Sequence, residues 1–278
     1  MTAHPRLSLN QATIKYAGLA EALRVTSAAG IAAIGLWREP VAEVGLARAV
    51  ELVTDSGLRV SSLCRGGFFT MPEGPSRRAA IDDNRHAIDE TAALGAPTLV
   101  LVAGGLPEDS KDLAGARERV LDAIGELADH AGSAGISLAI EALHPMYVSD
   151  RAVVSTLGQA LDIATQFDPS RVGVVVDTFH VFWDPGLLAS IARAGDHIAS
   201  YQVCDWATPL AADVLLSRHQ PGDGIIDFAP LTSAVLAAGY RGDIEVEIFN
   251  QTVWDAPVDE TAARTVEAFE SVIAPLLG

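Results

Sequence analysis

Three carboxylates stand at or near the ends of short apolar segments, where a charged side chain is unexpected. Glu141 ends the segment SLAIE, Asp177 ends VGVVVD, and Glu247 lies within IEVEI. A carboxylate at the end of a buried strand is costly unless it pairs with a cation or binds a metal ion. Three converging carboxylates would suit a divalent cation such as Mn²⁺, Mg²⁺ or Co²⁺, with Zn²⁺ as a further candidate. The alternative is that they pair with arginines or cap the helices that follow.

Other polar and aromatic side chains follow neighbouring apolar segments. Gln202 lies within YQVCD. Its carbonyl oxygen could complete a metal site, or the side chain could be a buried amide whose hydrogen bonds are all made within the protein. His144 and His180 each follow a strand-end carboxylate by three residues, which makes them candidates for substrate contacts or proton transfer. Trp37 and Arg65 follow two earlier segments, where they could form the wall of a substrate pocket or serve in ordinary loop packing.

The segments that must position these residues alternate between two kinds. Short apolar or β-branched runs predict strands at Arg6–Asn10, Ala32–Leu36, Arg59–Leu63, Thr98–Val102, Ser137–Glu141, Val172–Asp177, Ile198–Cys204 and Ile244–Ile248. Longer runs with helical spacing predict helices at Tyr16–Ala29, Val41–Ser56, Ser76–Leu94, Leu113–Ala134, Thr156–Phe167, Gly186–Ala194, Phe228–Ala238 and Asp259–Leu276. Glycines that fit left-handed helix ends precede several of the strands, at Gly30, Gly57, Gly95, Gly135 and Gly239.

Strict alternation of strands and helices predicts a parallel sheet covered on both faces. Eight such units close most naturally into a (β/α)8 TIM barrel, and we expect residues 1–278 to form a single domain. A doubly wound open sheet is the competing architecture, but it needs fewer units and usually carries a glycine-rich phosphate loop, a pattern that is absent here. In a barrel, the carboxyl ends of the strands form the active-site face, and the long irregular stretch Asp205–Asp227 lies there.

Composition limits the classes of partner. The 278 residues include 19 Lys and Arg against 36 Asp and Glu, a formal net charge of −17. A surface this negative repels phosphate backbones and anionic lipids, so we expect a small-molecule substrate and neither nucleic acid nor a membrane as partner. No apolar run reaches the roughly 18 residues that a membrane helix needs. Only two cysteines, Cys64 and Cys204, and no signal-peptide pattern lead us to expect a cytoplasmic protein.

Four sequence elements occur together and in a characteristic order. Glu141 lies in IEAL, Asp177 begins DTFH, the segment PGDGIID covers Pro221–Asp227, and Glu247 follows near the end of the chain. In this combination the chain resembles the xylose isomerase-like TIM barrels, the sugar phosphate isomerase/epimerase superfamily. The resemblance covers essentially the whole chain, and its motifs are specific for the superfamily but not for a substrate.

The resemblance implies one divalent metal ion, with Mn²⁺ as the first expectation, held by residues from the last four strands. Carried over by motif, the ligands are Glu141, Asp177, Gln202 and Glu247. The third ligand departs from the family pattern, because relatives usually carry histidine where this chain has Gln202. Some dehydratases of the superfamily are similar in having glutamine there. Tyr147 is a second departure, at a position where ketose epimerases carry a substrate-binding glutamate.

The chemistry shared by the superfamily is removal of a proton next to a carbonyl group. The resemblance implies that Glu141 and Glu247 exchange protons with the substrate, while His180 and Arg218 bind it. The leading hypothesis is a metal-dependent isomerase or epimerase that acts on a ketose, keto-sugar or keto-cyclitol. The alternative is a dehydratase or lyase of the 3-dehydroshikimate or inosose type, which uses the same enolate chemistry and would suit Gln202.

Two further hypotheses are weaker. An endonuclease of the same superfamily would face repulsion between the net charge of −17 and the DNA backbone, and it would need more histidine ligands. A barrel that binds a sugar or a protein partner without catalysis would be expected to have lost its metal affinity. Barrels of the family that this chain resembles often form dimers, so a homo-oligomer is a further expectation.

Overall fold

Eight parallel strands form a closed barrel in the computed structural model, which describes residues 3–278. The strands are β1 Leu7–Asn10, β2 Ala33–Trp37, β3 Arg59–Gly67, β4 Thr98–Val102, β5 Ser137–Glu141, β6 Val172–Asp177, β7 Ile198–Val203 and β8 Ile244–Val246. Each strand pairs with the next, and β8 closes the barrel against β1, with Leu9 opposite Val246. The (β/α)8 TIM barrel expected from the sequence is therefore confirmed.

Helices cover the outside of the barrel between consecutive strands. The α-helices are α1 Leu19–Ala28, α2 Arg38–Val44, α3 Leu46–Ser56, α4 Pro75–Ala93, α5 Leu113–Ala134, α6 Leu157–Ala164, α7 Thr178–Val181, α8 Leu187–Ala194, α9 Phe228–Ala237, α10 Gln251–Asp255 and α11 Val258–Ala268. Short 3₁₀ turns occupy Gln11–Ile14, Pro145–Tyr147, Gly195–His197, Val214–Ser217 and Ala274–Leu276, and a π turn covers Phe269–Ile273. Within residues 3–278, no helix combines the length and the apolar character needed to cross a membrane.

The strands are buried on both faces, which explains their continuous apolar sequences. All five residues of β4 are buried, and Leu99 and Leu101 belong to the large core shared with the helices. Because successive side chains point to opposite faces of a strand, Val100 faces the barrel interior. There it packs in a separate small cluster with Cys64, Ala139 and Val175, which lies beneath the carboxyl ends of the strands. The bottom of the site is therefore apolar on this side.

Most element boundaries agree with the sequence, and the differences have local causes. Strands β4, β5 and β6 have the predicted bounds, and all five predicted cap glycines have positive φ angles. The helix predicted over 41–56 is two helices, because Gly45 has a φ of 82° that breaks the helical path between them. Strand β3 continues to Gly67, and β8 ends at Val246, so Glu247 lies just beyond the barrel ladder.

Candidate metal and substrate site

Donor atoms from three elements meet at the carboxyl end of the barrel. Glu141 ends β5, Asp177 ends β6, and His180 follows in α7. One ligand atom from each of these residues lies within 4.8 Å of the others, and all three side chains are buried. Buried acidic groups this close together repel one another unless positive charge lies among them. This group could therefore bind a metal ion.

Arg218 supplies positive charge at the same place. Its Nη1 lies 2.8 Å from Asp177 Oδ2 and 3.1 Å from Glu247 Oε2, and its Nη2 lies 2.9 Å from His180 Nε2. The guanidinium group is almost completely buried, with the ring of Phe179 4.7 Å from its central carbon. The structure thus brings together Asp177, His180, Arg218 and Glu247, and it places an arginine partner beside two of the predicted metal ligands.

A small hairpin explains why Arg218 reaches this position. Asp205–Trp206 and Arg218–His219 pair as antiparallel strands, with Trp206 opposite Arg218. The buried carboxylate of Asp205 accepts hydrogen bonds from the backbone N–H groups of Trp206, Gly222 and Ile226 at 2.8, 2.8 and 2.9 Å. These bonds tie the PGDGIID segment to the end of β7. The motif therefore holds the loop that presents Arg218.

The buried ionisable groups of the site have strongly shifted pKa values. Burial raises the pKa of Glu247 to about 8, although the Arg218 guanidinium acts in the opposite direction. Burial, together with the charges of Asp177 and Glu247, raises the pKa of Glu141 well above its usual value. Burial also works to raise the pKa of Asp177, but Arg218 and His180 outweigh it and the pKa is lowered. Asp177 is therefore the carboxylate that stays ionised most readily.

His180 has a shift of the opposite kind. Burial lowers its pKa to about 3, so the imidazole is neutral at physiological pH. Its Nε2 accepts from Arg218 Nη2, so its Nδ1, which lies 3.3 Å from the backbone nitrogen of His144, carries the hydrogen. The ring of His144 itself packs against Trp183 and Trp206, with centroids 5.2 and 5.6 Å away, and it does not line the cavity described below. The structure thus places His144 behind His180.

Gln202 provides a test of whether these residues fit a metal ion. It lies on β7 directly opposite Asp177, and it is buried. Its Nε2 donates to Glu245 Oε1 at 3.1 Å, whereas its Oε1 is buried without a hydrogen-bond partner among the described residues. A buried carbonyl oxygen without a partner costs about 1–3 kcal/mol, and a cation would supply the missing interaction. The set of carboxylate and amide oxygens fits a divalent ion.

A cavity of about 690 Å³ opens beside these donor atoms. Six of the nine predicted site residues line it: Trp37, Arg65, Glu141, His180, Arg218 and Glu247. The Trp37 indole N–H donates to Asn10 Oδ1 at 2.8 Å. The Arg65 guanidinium lies over the ring of Phe68, 4.9 Å from its centroid, and forms no ion pair with any residue that the structure describes. The cavity therefore combines aromatic walls with a free positive charge.

Several lining residues were missed from the sequence. They are Gln11, Lys15, Arg151, Phe249 and Trp254. Gln11 directly follows β1, and Phe249 follows Glu247 by two residues, so the rule applied to the other strands would have found both. Lys15 lies in the turn after β1, and its Nζ is 4.3 Å from the Trp254 ring, a contact between residues distant in sequence. Glu245, beneath Gln202, was also missed.

Comparison with known proteins places the chain in a family. The model of the xylose isomerase-like TIM barrel family matches residues 23–272. A 3-dehydroshikimate dehydratase of Pseudomonas putida is 30% identical over 262 residues, which are 91% of this chain and 39% of that protein. The chain thus spans about two fifths of the length of this relative. An inosose isomerase of Bacillus velezensis is 27% identical over 214 residues, 74% of this chain and 73% of that protein.

A solved structure is similar to this chain along almost its whole length. Protein SMc04130 of Sinorhizobium meliloti 1021 is 48% identical, with a TM-score of 0.92 over 96% of this chain and 98% of that one. The family model, the relatives and the closed barrel with its buried strand-end carboxylates agree with one another. The chain belongs to the xylose isomerase-like TIM barrel family.

Proposed function

We propose that this chain is a metal-dependent enzyme that removes the proton next to a carbonyl group of a small carbohydrate-like substrate. The observation that carries this proposal is the group of buried donor atoms of Glu141, Asp177 and His180, two of which, Glu141 and His180, line one cavity. Glu141 and Glu247 both line that cavity, and burial raises the pKa of each. The pKa of Glu247 is raised to about 8, so this group can hold or release a proton near neutral pH.

Each residue has a defined role in this proposal. Glu141, Asp177, Gln202 and Glu247 would hold a divalent ion, for which Mn²⁺ is the first choice. The bound ion would supply the positive charge that lowers the cost of forming an enolate. One of the two glutamates takes the proton from the carbon next to the carbonyl, and the other holds a proton for the second half of the reaction.

Substrate binding falls to the other cavity residues. Arg218 and His180 lie against the acidic cluster and would orient substrate hydroxyl groups. The flat indole of Trp37 provides an apolar face for a six-membered ring, while Arg65 is free to pair with a carboxylate. His144 would act indirectly, through the contact between its backbone nitrogen and the ring of His180.

Among reactions that begin with this proton transfer, we favour elimination over isomerisation. In an elimination, the α-proton passes to one glutamate, a double bond forms between the α- and β-carbons, and the β-carbon–oxygen bond breaks. The departing oxygen takes a proton from the acid residue and leaves as water or an alcohol. The amide ligand Gln202, the unpaired Arg65 and the 30% identity to a 3-dehydroshikimate dehydratase support this choice.

Isomerisation or epimerisation of a ketose or keto-cyclitol is the second candidate. It is supported by the inosose isomerase relative, which aligns over 73% of its own length. Two glutamates on one cavity wall could also remove a proton and return it at another position without loss of the oxygen. The two candidates share the same first step and differ in the fate of the intermediate.

The test is a substrate panel in D₂O with the Mn²⁺-loaded protein. The panel contains 3-dehydroshikimate, an inosose and several unphosphorylated ketoses, and a Glu141→Gln variant serves as control. Loss of water or an alcohol with an enone or aromatic product supports elimination. Deuterium at the α-carbon without such loss supports isomerisation instead. Absence of exchange across the whole panel would overturn both proposals.

A further inference from the structure

A second buried carboxylate lies below the candidate metal site. Glu245 is on β8, two residues before Glu247, and only 1% of its surface is exposed. Its Oε1 accepts hydrogen bonds from Asn10 Nδ2 at 2.5 Å and from Gln202 Nε2 at 3.1 Å. Its Oε2 accepts from the hydroxyl groups of Ser61 and Ser62 at 2.5 and 2.9 Å. No cation lies in this set, so Glu245 is held by neutral hydrogen-bond donors.

The direction of these hydrogen bonds is fixed by their other partners. Asn10 Oδ1 already accepts from the backbone N–H of Ala12 and from the Trp37 indole N–H, both at 2.8 Å. The amide nitrogen of Asn10 therefore has to face Glu245. Gln202 Nε2 lies 3.1 Å from the same Oε1 of Glu245, whereas Gln202 Oε1 has no hydrogen-bond partner among the described residues. The Gln202 amide therefore points its nitrogen at Glu245.

We propose that Glu245 is a positioning residue that holds the Gln202 amide with its carbonyl oxygen directed to the metal. This inference rests on the metal site in the proposed function. A free amide has two nearly equivalent orientations, and only one of them offers oxygen to a cation. Glu245 selects that orientation, and Asn10 connects the same carboxylate to Trp37 on the cavity wall. One buried carboxyl group thereby sets the orientation of both a ligand and a substrate-facing side chain.

Substitutions of Gln202 should affect metal affinity according to whether the new side chain can still donate a hydrogen bond to Glu245. A histidine can donate one ring N–H to Glu245 and bind a metal ion through the other nitrogen. A glutamate is a stronger metal ligand by charge, but it has no hydrogen for Glu245 and places two carboxylates against each other. We therefore expect Gln202→His to keep the Mn²⁺ affinity within about threefold, and Gln202→Glu to lower it by about tenfold or more.

A purely structural role for Glu245 predicts a different result in a double-mutant cycle. If Glu245 acts through Gln202, Glu245→Leu, which removes both acceptor oxygens, lowers Mn²⁺ affinity by about tenfold in the parent and has little effect in a Gln202→Ala background. If it only supports the barrel, it lowers affinity equally in both backgrounds. Ser61→Ala is the matched control, because it removes a donor to Oε2 and leaves the bond between Oε1 and Gln202 in place.

The experiment is a titration of the metal-free full chain with Mn²⁺, followed by electron paramagnetic resonance, with thermal unfolding to verify folding. The expected result is the tenfold loss in Glu245→Leu that disappears without Gln202. If Glu245→Leu does not fold, the comparison of Gln202→His with Gln202→Glu decides. Equal or tighter binding by Gln202→Glu, or an equal loss in both backgrounds of the cycle, would overturn the inference alone. A parent chain that binds no Mn²⁺ would overturn the proposed function with it.

Discussion

Arg218 and Asp177 form an ion pair at 2.8 Å in which the two side chains are only 2% and 1% exposed. Removing both charges from water is expensive, and the attraction between them compensates only when other contacts satisfy the remaining groups. Here Arg218 also pairs with Glu247 at 3.1 Å and lies against the ring of Phe179. Without the arginine, the acidic groups at this end of the barrel would face one another uncompensated. Arg218 is therefore a structural counter-charge as well as a candidate substrate contact.

We expect Arg218→Met to lower the free energy of unfolding of the metal-free protein by about 3–5 kcal/mol, because it leaves buried carboxylates unpaired. Methionine keeps much of the packing of the arginine chain, so the loss reports mainly on charge. The measurement is urea unfolding in the presence of a chelator. Arg24→Met is the control, since Arg24 pairs with Asp259 at 3.1 Å with both side chains more than half exposed. The control should lose no more than about 1 kcal/mol; similar losses in both variants would contradict this account.

Metal content tests the ligand set directly. We expect about one equivalent of a divalent ion per chain after loading with Mn²⁺, measured by mass spectrometry on the purified protein. Glu247→Gln should lose the ion, because an amide replaces a charged ligand. Glu43→Gln is the control, since Glu43 lines the outer cavity but is exposed. Retention of full metal content in Gln202→Ala would show that Gln202 does not bind the metal.

Metal affinity should also depend on pH. Burial raises the pKa of Glu247 to about 8, so this carboxyl carries a proton at pH 7 in the metal-free protein. A ligand must be deprotonated to bind a metal, and the proton therefore competes with the ion. The affinity for Mn²⁺ should rise by up to about tenfold per pH unit between about pH 6 and 8 and level off above that range. Dissociation constants measured across this range, together with proton release on binding, test the sign. An affinity for Mn²⁺ that stays constant from pH 6 to 8 would contradict the raised pKa of Glu247.

The fold could be predicted from the sequence because its strands are buried on both faces. Such strands are continuous apolar runs, which is why the bounds of β5 and β6 were predicted to the residue. The strand ends in turn placed Glu141 and Asp177 on one rim, where the structure brings them together. Helix boundaries were less accurate where a single glycine decided them, as at Gly45.

The candidate site was predicted only in part. Which side chains meet inside the barrel depends on how distant strands pair when the barrel closes. Glu245 on β8 and Glu247 just beyond it are two residues apart, so both point to the same face. The strand direction places Glu247 nearer the rim, but the sequence does not show which side chains surround Glu245 within the barrel. Those contacts arise from the register between distant strands, which sets Glu245 beside Gln202 and the two serines of β3. Lys15 and Trp254 meet across the cavity for the same reason.

Gly35 leaves the space that the buried carboxylate needs, and this gives the last prediction. A Cβ atom at Gly35 on β2 would lie 2.5 Å from Glu245 Cδ, which is closer than real side-chain contacts allow. Since four donors hold that carboxylate, it cannot move without breaking hydrogen bonds. We expect Gly35→Ala to destabilise the protein by about 1–3 kcal/mol and to lower Mn²⁺ affinity, because displaced Glu245 no longer holds Gln202.

Gly18→Ala is the control for this variant, because Gly18 precedes α1 with open space around its Cβ position and an ordinary negative φ. Gly18 is the N-cap of α1, where alanine is less favourable than glycine, so the control should lose no more than about 1 kcal/mol of stability and keep its Mn²⁺ dissociation constant. In Gly35→Ala, loss of stability with unchanged Mn²⁺ affinity would mean that Glu245 can move without disturbing Gln202, which would contradict the positioning role of Glu245. Loss of both stability and Mn²⁺ affinity, with unchanged Mn²⁺ affinity in Gly18→Ala, supports that role and shows that the space left by Gly35 on β2 is needed to position Gln202 on β7.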